Sequence, residues 1–196
     1  MTGAGLALAQ SMNNYSVSPD IAIPVGNPVG LVSSTDVTGL TGDLITDITV
    51  SLDISGGYNG DLYAYLAGPT GGFDVLLNQP GSSGGSIGYL DNGFNVTLDD
   101  SAADSVQNYE TTTGVLPPST PLTGTWQSAG DDLASFNGST PDGTWTLFVA
   151  NLTGGSPQST IVGWSLTIDT VPEPATLALS ALGMAGATLV ARRRRR

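Results

Sequence analysis

The sequence predicts an all-β, antiparallel jelly-roll β-sandwich followed by one C-terminal transmembrane helix. Three observations predict it. Several short stretches alternate apolar and polar residues with a period of two, clusters of Gly, Pro and Asp punctuate them, and residues 175–191 form an uncharged run of apolar and small residues closed by five arginines. Alternation puts every second side chain on one face, which marks a half-buried strand, and many such strands separated by turns favour two packed antiparallel sheets.

Residues 1–20 are expected to be the remnant of a secretion signal and a flexible lead. Ala7-Leu8-Ala9 has the small-x-small pattern a signal peptidase prefers, with Ala7 and Ala9 as the cleavage-site residues. No positive n-region precedes it, so the true start is expected upstream of Met1.

Residues 21–169 form the predicted sandwich. After a turn cluster at 23–30 (IPVGNPVG), the apolar sets Ile48, Val50, Leu52, Ile54; Leu62, Ala64, Leu66; Phe73, Val75, Leu77; Phe94, Val96, Leu98; Trp145, Leu147, Val149; and Val162, Trp164, Leu166, Ile168 are each expected to face the core. Burying Trp145 or Trp164 there contributes about 1.5–3 kcal/mol. Turns are expected at Gly56-Gly57, Gly68-Pro69-Thr70-Gly71, Pro141-Asp142-Gly143 and Gly154-Gly155, and no stretch ahead of the tail has helical periodicity.

Residues 170–174 are a linker holding the triplet Pro172-Glu173-Pro174. Each proline lacks an N–H donor and fixes φ, so the triplet is expected to stay out of any sheet. The 17 uncharged residues 175–191 follow. At a helical rise of about 1.5 Å per residue they reach roughly 26 Å, close to the hydrocarbon thickness of a bilayer. Six Ala, two Gly, two Thr and a Ser against four Leu and one Val make this a weak anchor. Arginines 192–196 supply every positive charge in the chain, which places the C-terminus in the cytoplasm and the sandwich outside.

Composition narrows the chemistry. Seventeen acidic and five basic residues give a net charge of −12, and the body without its arginine run is more acidic still. Such a surface repels nucleic acid and attracts divalent cations. With no Cys, His or Lys, disulfides, zinc sites, phosphate loops and serine-protease machinery are all unavailable. The G-x-S-x-G match at Gly81-Ser82-Ser83-Gly84-Gly85 is therefore an accident of a Gly/Ser-rich loop.

Two resemblances add to this reading. Pro172, Glu173, Pro174, the weakly apolar run and the terminal arginines, Arg192 and Arg193 first among them, resemble the PEP-CTERM sorting signal of bacteria. That resemblance implies processing by a membrane enzyme of the exosortase type. Gly60-Asp61-Leu62, Gly68-Pro69-Thr70-Gly71, TLDDSA (97–102), LASFNG (133–138), GTWTLFV (143–149) and GWSLTI (163–168) together resemble the P domain, or P/Homo B domain, of proprotein convertases. It implies a galactose-binding-like jelly roll of the kind that packs on and stabilises a subtilisin-like protease. Two positions depart from the family pattern: SGGYNGDL lacks the His common before Gly-Asp-Leu, and Ala150-Asn151 stands where an Asp is frequent.

Carboxylates are the remaining reactive resource. Asp61, Asp99 and Asp100 are the candidate ligands for calcium, which takes six to eight oxygens from Asp/Asn/Gly loops; the simpler reading of the same aspartates, and the favoured one, is that they cap turns on a solvated acidic surface. Tyr58, Tyr63, Tyr65, Tyr89 and Trp126 are candidate platforms for an extracellular polysaccharide, with Tyr63 and Tyr65 on the strand face opposite Leu62 and Leu66. Sequons stand at Asn95, Asn137 and Asn151. The expected protein is an exported, non-enzymatic surface or matrix module. The alternatives are an accessory domain for a separately encoded subtilisin-like protease, and a calcium-dependent adhesion or carbohydrate-binding module.

Overall fold

The computed structural model describes residues 10–83 and 87–173. In chain order the strands are β1 (Ser11–Val17), β2 (Ile21–Ile23), β3 (Leu31–Val37), β4 (Asp43–Gly56), β5 (Leu62–Ala67), β6 (Phe73–Asn78), β7 (Phe94–Leu98), β8 (Leu122–Trp126), β9 (Gly143–Asn151) and β10 (Ser159–Pro172). Short 3-10 turns at Asn59–Asp61, Val106–Asn108 and Leu133–Phe136 and one four-residue helix, α1 (Glu110–Thr113), interrupt them. One sheet runs β1-β10-β4-β7-β8 with β2 added beside β10; the other runs β3-β9-β5-β6. Their inner faces enclose a single core, so the chain folds as an all-β, two-sheet sandwich.

Most of the alternation translates directly into burial. Ile48, Val50, Leu52 and Ile54 of β4, Leu62, Ala64 and Leu66 of β5, Phe94, Val96 and Leu98 of β7, and Trp145, Leu147 and Val149 of β9 are all buried. Trp145 donates its indole N–H to the Pro141 carbonyl at 3.0 Å, and Trp164 donates to the Ser33 hydroxyl at 2.9 Å, tying β10 to β3 in the opposite sheet. Each large aromatic thus has its polar edge satisfied while its rings are removed from water.

Bulges overturn two of the predicted faces. In β6 the register steps from Ala64↔Leu77 to Tyr65↔Val75, so Leu76 is an extra residue. One extra residue reverses the alternation: Leu76 and Leu77 are both buried, Asp74 is drawn inward, and Phe73 and Val75 turn outward. In β10 the step from Ile161↔Ile54 to Gly163↔Asp53 leaves Val162 unpaired, so Ile161 fills the core place expected for Val162.

Other expectations are corrected at the edges. The ladder between β7 and β8 is parallel, with residues 99–121 crossing back to the strand's starting end, so the sandwich is not wholly antiparallel. Ser11–Val17, assigned to a flexible lead, pairs along β10 from Val17↔Trp164 to Ser11↔Thr170. Glu110–Thr113 makes one helical turn although its residues carry no apolar period. Trp126 is buried, edge-to-face with Tyr109 at 6.3 Å, and is no exposed platform.

No helix among the described residues is long and apolar enough to cross a membrane. The expected span at 175–191, Ala7, Ala9, Pro174, Arg192 and Arg193 lie outside the described residues.

Candidate functional site

The junction with the triplet is built into the sheet. The closing strand β10 remains paired with β4 to its last residue, Thr170↔Ile45, Val171↔Leu44 and Pro172↔Asp43. Pro172 therefore does join a sheet, contrary to the expectation for the prolines. It does so where the ladder ends, a position in which a missing N–H is tolerated. The Glu173 N–H donates to the Gly42 carbonyl at 2.8 Å, and the Thr170 hydroxyl donates to the Asp43 carboxylate at 3.3 Å.

A second feature lies on the outer face of the four-stranded sheet. Registers place Val32, Phe148, Tyr65 and Val75 in one row across β3, β9, β5 and β6. Tyr65 and Phe148 stack at 4.8 Å with 15° between their planes, Phe73 packs on Tyr65 at 4.9 Å, and Tyr63 meets Phe148 edge-on at 6.4 Å. Val32 remains 66% exposed and Phe73 45%, so the row is open to solvent. A hydroxyl pair, Ser34 with Thr146 at 3.2 Å, flanks it. Tyr63 and Tyr65 were legible from alternation; Phe148 followed from the same alternation around Trp145, but Phe73 reaches this face only through the bulge.

A third feature occupies the opposite pole of the sandwich from the triplet. Asn59, fully buried in the Gly-Asp-Leu turn, donates to the Gly93 carbonyl and the Tyr109 hydroxyl, both at 3.1 Å, and accepts from the Gly93 N–H at 2.7 Å. The Tyr109 hydroxyl donates to Asp91 Oδ2 at 2.9 Å, and the Leu116 N–H donates to Asp91 Oδ1 at 3.0 Å. Burial, followed by contact with the Asp91 carboxylate, pushes the Tyr109 phenol far above its ordinary value. Above this network opens a cleft of about 480 Å³ walled by Ile87, Leu90, Val115, Leu116 and Pro117, with Asp91 and Glu110 in its lining. Burial, then the charge of Asp91 and contact with it, raises the Glu110 carboxyl. Asp91 was legible only as one of several loop carboxylates, and Asn59 and Tyr109 escaped sequence reasoning because neither lies at a periodic position; the link among the three is purely three-dimensional.

The structure does not bring the three candidate calcium ligands together. Asp61 is buried in the turn beyond the Gly56 end of β4, with Oδ2 lacking a hydrogen-bond partner. Asp99 and Asp100 follow β7 at its Leu98 end, the other pole. Asp99 Oδ1 accepts from the Ser101 N–H at 2.7 Å, closing a turn. Asp100 accepts from the Leu133 and Ala134 N–H groups at 3.3 and 2.8 Å, capping the 3-10 turn Leu133–Phe136. Among the described residues no group of three or more acidic side chains is placed to hold a metal ion. Asn151, at the second departure from the family pattern, accepts from the Gly26 and Thr153 N–H groups and anchors the loop before β3.

Comparison with known proteins fits this architecture. Residues 45–168 match the proprotein convertase P-domain family, and the chain belongs to it. Residues 170–196 match the PEP-CTERM protein-sorting motif, which begins inside the last rungs of β10. Among solved structures the chain is similar to the serine protease of Aeromonas sobria, at 16% identity and a TM-score of 0.48, over 86% of this chain and 28% of that one. The same protease in complex with a chaperone gives 15% identity and a TM-score of 0.48, over 84% and 27%. The chain thus spans little more than a quarter of the length of those structures. No curated protein matches it.

Proposed function

We propose that the protein is an exported, non-enzymatic binding module, cut by an exosortase-type membrane enzyme near Pro172-Glu173-Pro174 and left at the cell surface or in the extracellular matrix. The observation that carries this reading is the sorting motif following a P-domain body without a spacer. In this account the span 175–191 holds the chain at the membrane and Arg192 and Arg193 stop it on the cytoplasmic side. The solvent-open cluster of Val32, Phe148, Tyr65 and Phe73, beside the Ser34 and Thr146 hydroxyls, suits the apolar faces and hydroxyl groups of an extracellular polysaccharide.

Intact-mass analysis of the protein recovered from its own cells tests the processing. A surface fraction whose C-terminus lies close to the triplet supports it, and a cytosolic pool with an intact arginine tail would sink it. Membership in the P-domain family favours one rival, an accessory domain that stabilises a separately encoded subtilisin-like protease. Stoichiometric recovery of a protease with the protein would establish that rival; retention on matrix polysaccharide, lost in Tyr65→Ala, supports the binding module.

A further inference from the structure

The cleft at the pole remote from the triplet combines two properties that seldom share a surface. Its walls leave large apolar side chains in water, with Ile87 72%, Leu90 55% and Val115 78% exposed. Its lining also holds two neighbouring carboxylates, Asp91 and Glu110. Both Asp91 oxygens are fixed, by the Tyr109 hydroxyl and the Leu116 N–H, so this carboxylate is locked in place and 6% exposed. Glu110, on α1, faces the fixed carboxylate, and among the described residues there is no Lys, Arg or His to offset either charge. Two like charges beside apolar walls destabilise the empty cleft, and an entering cation relieves them.

We infer that this cleft binds a basic side chain, Arg or Lys, of a partner polypeptide, its cation meeting Glu110 and Asp91 and its aliphatic stem lying on Leu90, Val115 and Pro117. The chemistry matches on both counts: long basic side chains lay an apolar stem on apolar surface while the head seeks a carboxylate, and a planar guanidinium suits paired oxygens. A neutral apolar ligand would leave the carboxylates unanswered, and an anion would be repelled. Position supports a partner outside the cell. Asp91 adjoins the Gly57–Asn59 end of β4, where its carbonyl accepts from the Asn59 N–H, whereas Pro172 pairs with Asp43 at the other end of that strand. At about 3.3 Å per residue the 14-residue strand separates the two by roughly 40 Å. The cleft therefore faces away from the membrane to which the proposed function attaches the chain.

The test uses the full chain in mild detergent, isotope-labelled for NMR and titrated with blocked Leu-Arg-Pro peptide and with its isosteric citrulline counterpart, which lacks the charge. The expected result is saturable shifts at the amides of Leu90, Glu110 and Leu116, with the Arg peptide binding at least ten-fold more tightly. Glu110→Gln should remove most of that preference while leaving the melting temperature within a few degrees. Equal binding of the two peptides, an undiminished preference in Glu110→Gln, shifts confined to the Tyr65–Phe148 face, or no saturable shift would each overturn the assignment. A chain with arginines 192–196 replaced by Gln is titrated in parallel: if its Glu110 amide already differs without peptide, the cleft belongs to the chain's own tail and not to a partner. None of these readouts depends on where the tail is cut.

Discussion

Pro172 stands opposite Asp43 in the last rung of the ladder that joins the closing strand to the long central strand, and one residue on, the Glu173 N–H is held by the Gly42 carbonyl. The first two residues of the sorting triplet are therefore part of the folded body. On the proposed reading, an enzyme that acts at the triplet must first release this end from the sheet, and the local stability of the rung then sets how readily it cuts.

Gly42 is the point at which that hold can be loosened. It sits at φ +87° with nothing within 4 Å of where a Cβ would be, so Gly42→Ala strains the turn without creating a clash. The expected outcome is at least a two-fold rise in the processed fraction at a fixed time after synthesis, with a melting temperature lowered by only a few degrees. Unchanged processing in a variant shown to have lost the Glu173 contact would disprove a gating role for the rung.

The bulge in β6 creates a second liability. Asp74, 1% exposed, has neither carboxylate oxygen in a hydrogen bond of full geometry. Burial raises its pKa, the Ser128 side chain and Asp132 N–H draw it partly back, and the Asp100 charge pushes it up again. A carboxyl raised in the folded state binds a proton there that the unfolded chain has already lost. Stability from this group is thus greatest in mild acid and falls as pH rises from about 4 through the raised pKa. Asp74→Asn removes the charge and should gain about 1–2 kcal/mol at pH 7–8 and almost nothing near pH 4. Denaturant melts across that range measure this; parallel pH profiles for the two proteins would refute it.

How much of this was legible depended on whether the signal was periodic. β4, β5, β7 and β9 carry strict alternation, and their inward faces emerged as expected because a one-residue slip would expose the whole apolar set. β6 and β10 carry the same pattern interrupted by one residue, and no property of Leu76 or Val162 marks either as the extra one. β1 was hidden because its inward residues, Tyr15 and Val17, are spaced among Asn and Ser in a short edge strand. The tail's sorting signal is linear chemistry and was read whole. The cleft was not: Asp91, Glu110 and Leu116 meet only because Asn59 and Tyr109 pin three separate loops together.

Asp100 distinguishes a structural carboxylate from a metal ligand. Both of its oxygens accept backbone N–H groups at the start of the 3-10 turn Leu133–Phe136, which in turn buries Phe136 against Trp145 at a ring separation of 5.0 Å. Asp100→Ala should therefore cost about 1 kcal/mol, the usual magnitude for a lost cap. Thermal melts in 5 mM calcium and in chelator should show the same loss; a loss seen only with calcium would make Asp100 a ligand.

Gly60, the glycine of the Gly-Asp-Leu motif, is required by backbone contact and not by its own conformation. A Cβ added there would fall inside van der Waals distance of the Gly88 Cα and carbonyl carbon and the Tyr89 nitrogen. These are main-chain atoms, held by the Gly60 N–H to Tyr89 carbonyl bond at 2.8 Å and the Tyr89 N–H to Pro80 carbonyl bond at 2.9 Å, so they have nowhere to retreat. Gly60→Ala must push the 87–92 segment away, breaking those bonds and displacing Asp91 from Tyr109. Overpacking of this kind costs about 1–3 kcal/mol, and the loss of buried hydrogen bonds adds to it. The variant should unfold at least 8 °C below the parent and lose the Arg-peptide preference of the cleft together with its stability. Gly154→Ala, at a glycine with open space around it and no positive φ, serves as the control and should keep the cleft intact. A Gly60→Ala protein of parental stability would show that the segment lining the cleft is free to move, and that the motif's glycine is not what fixes it.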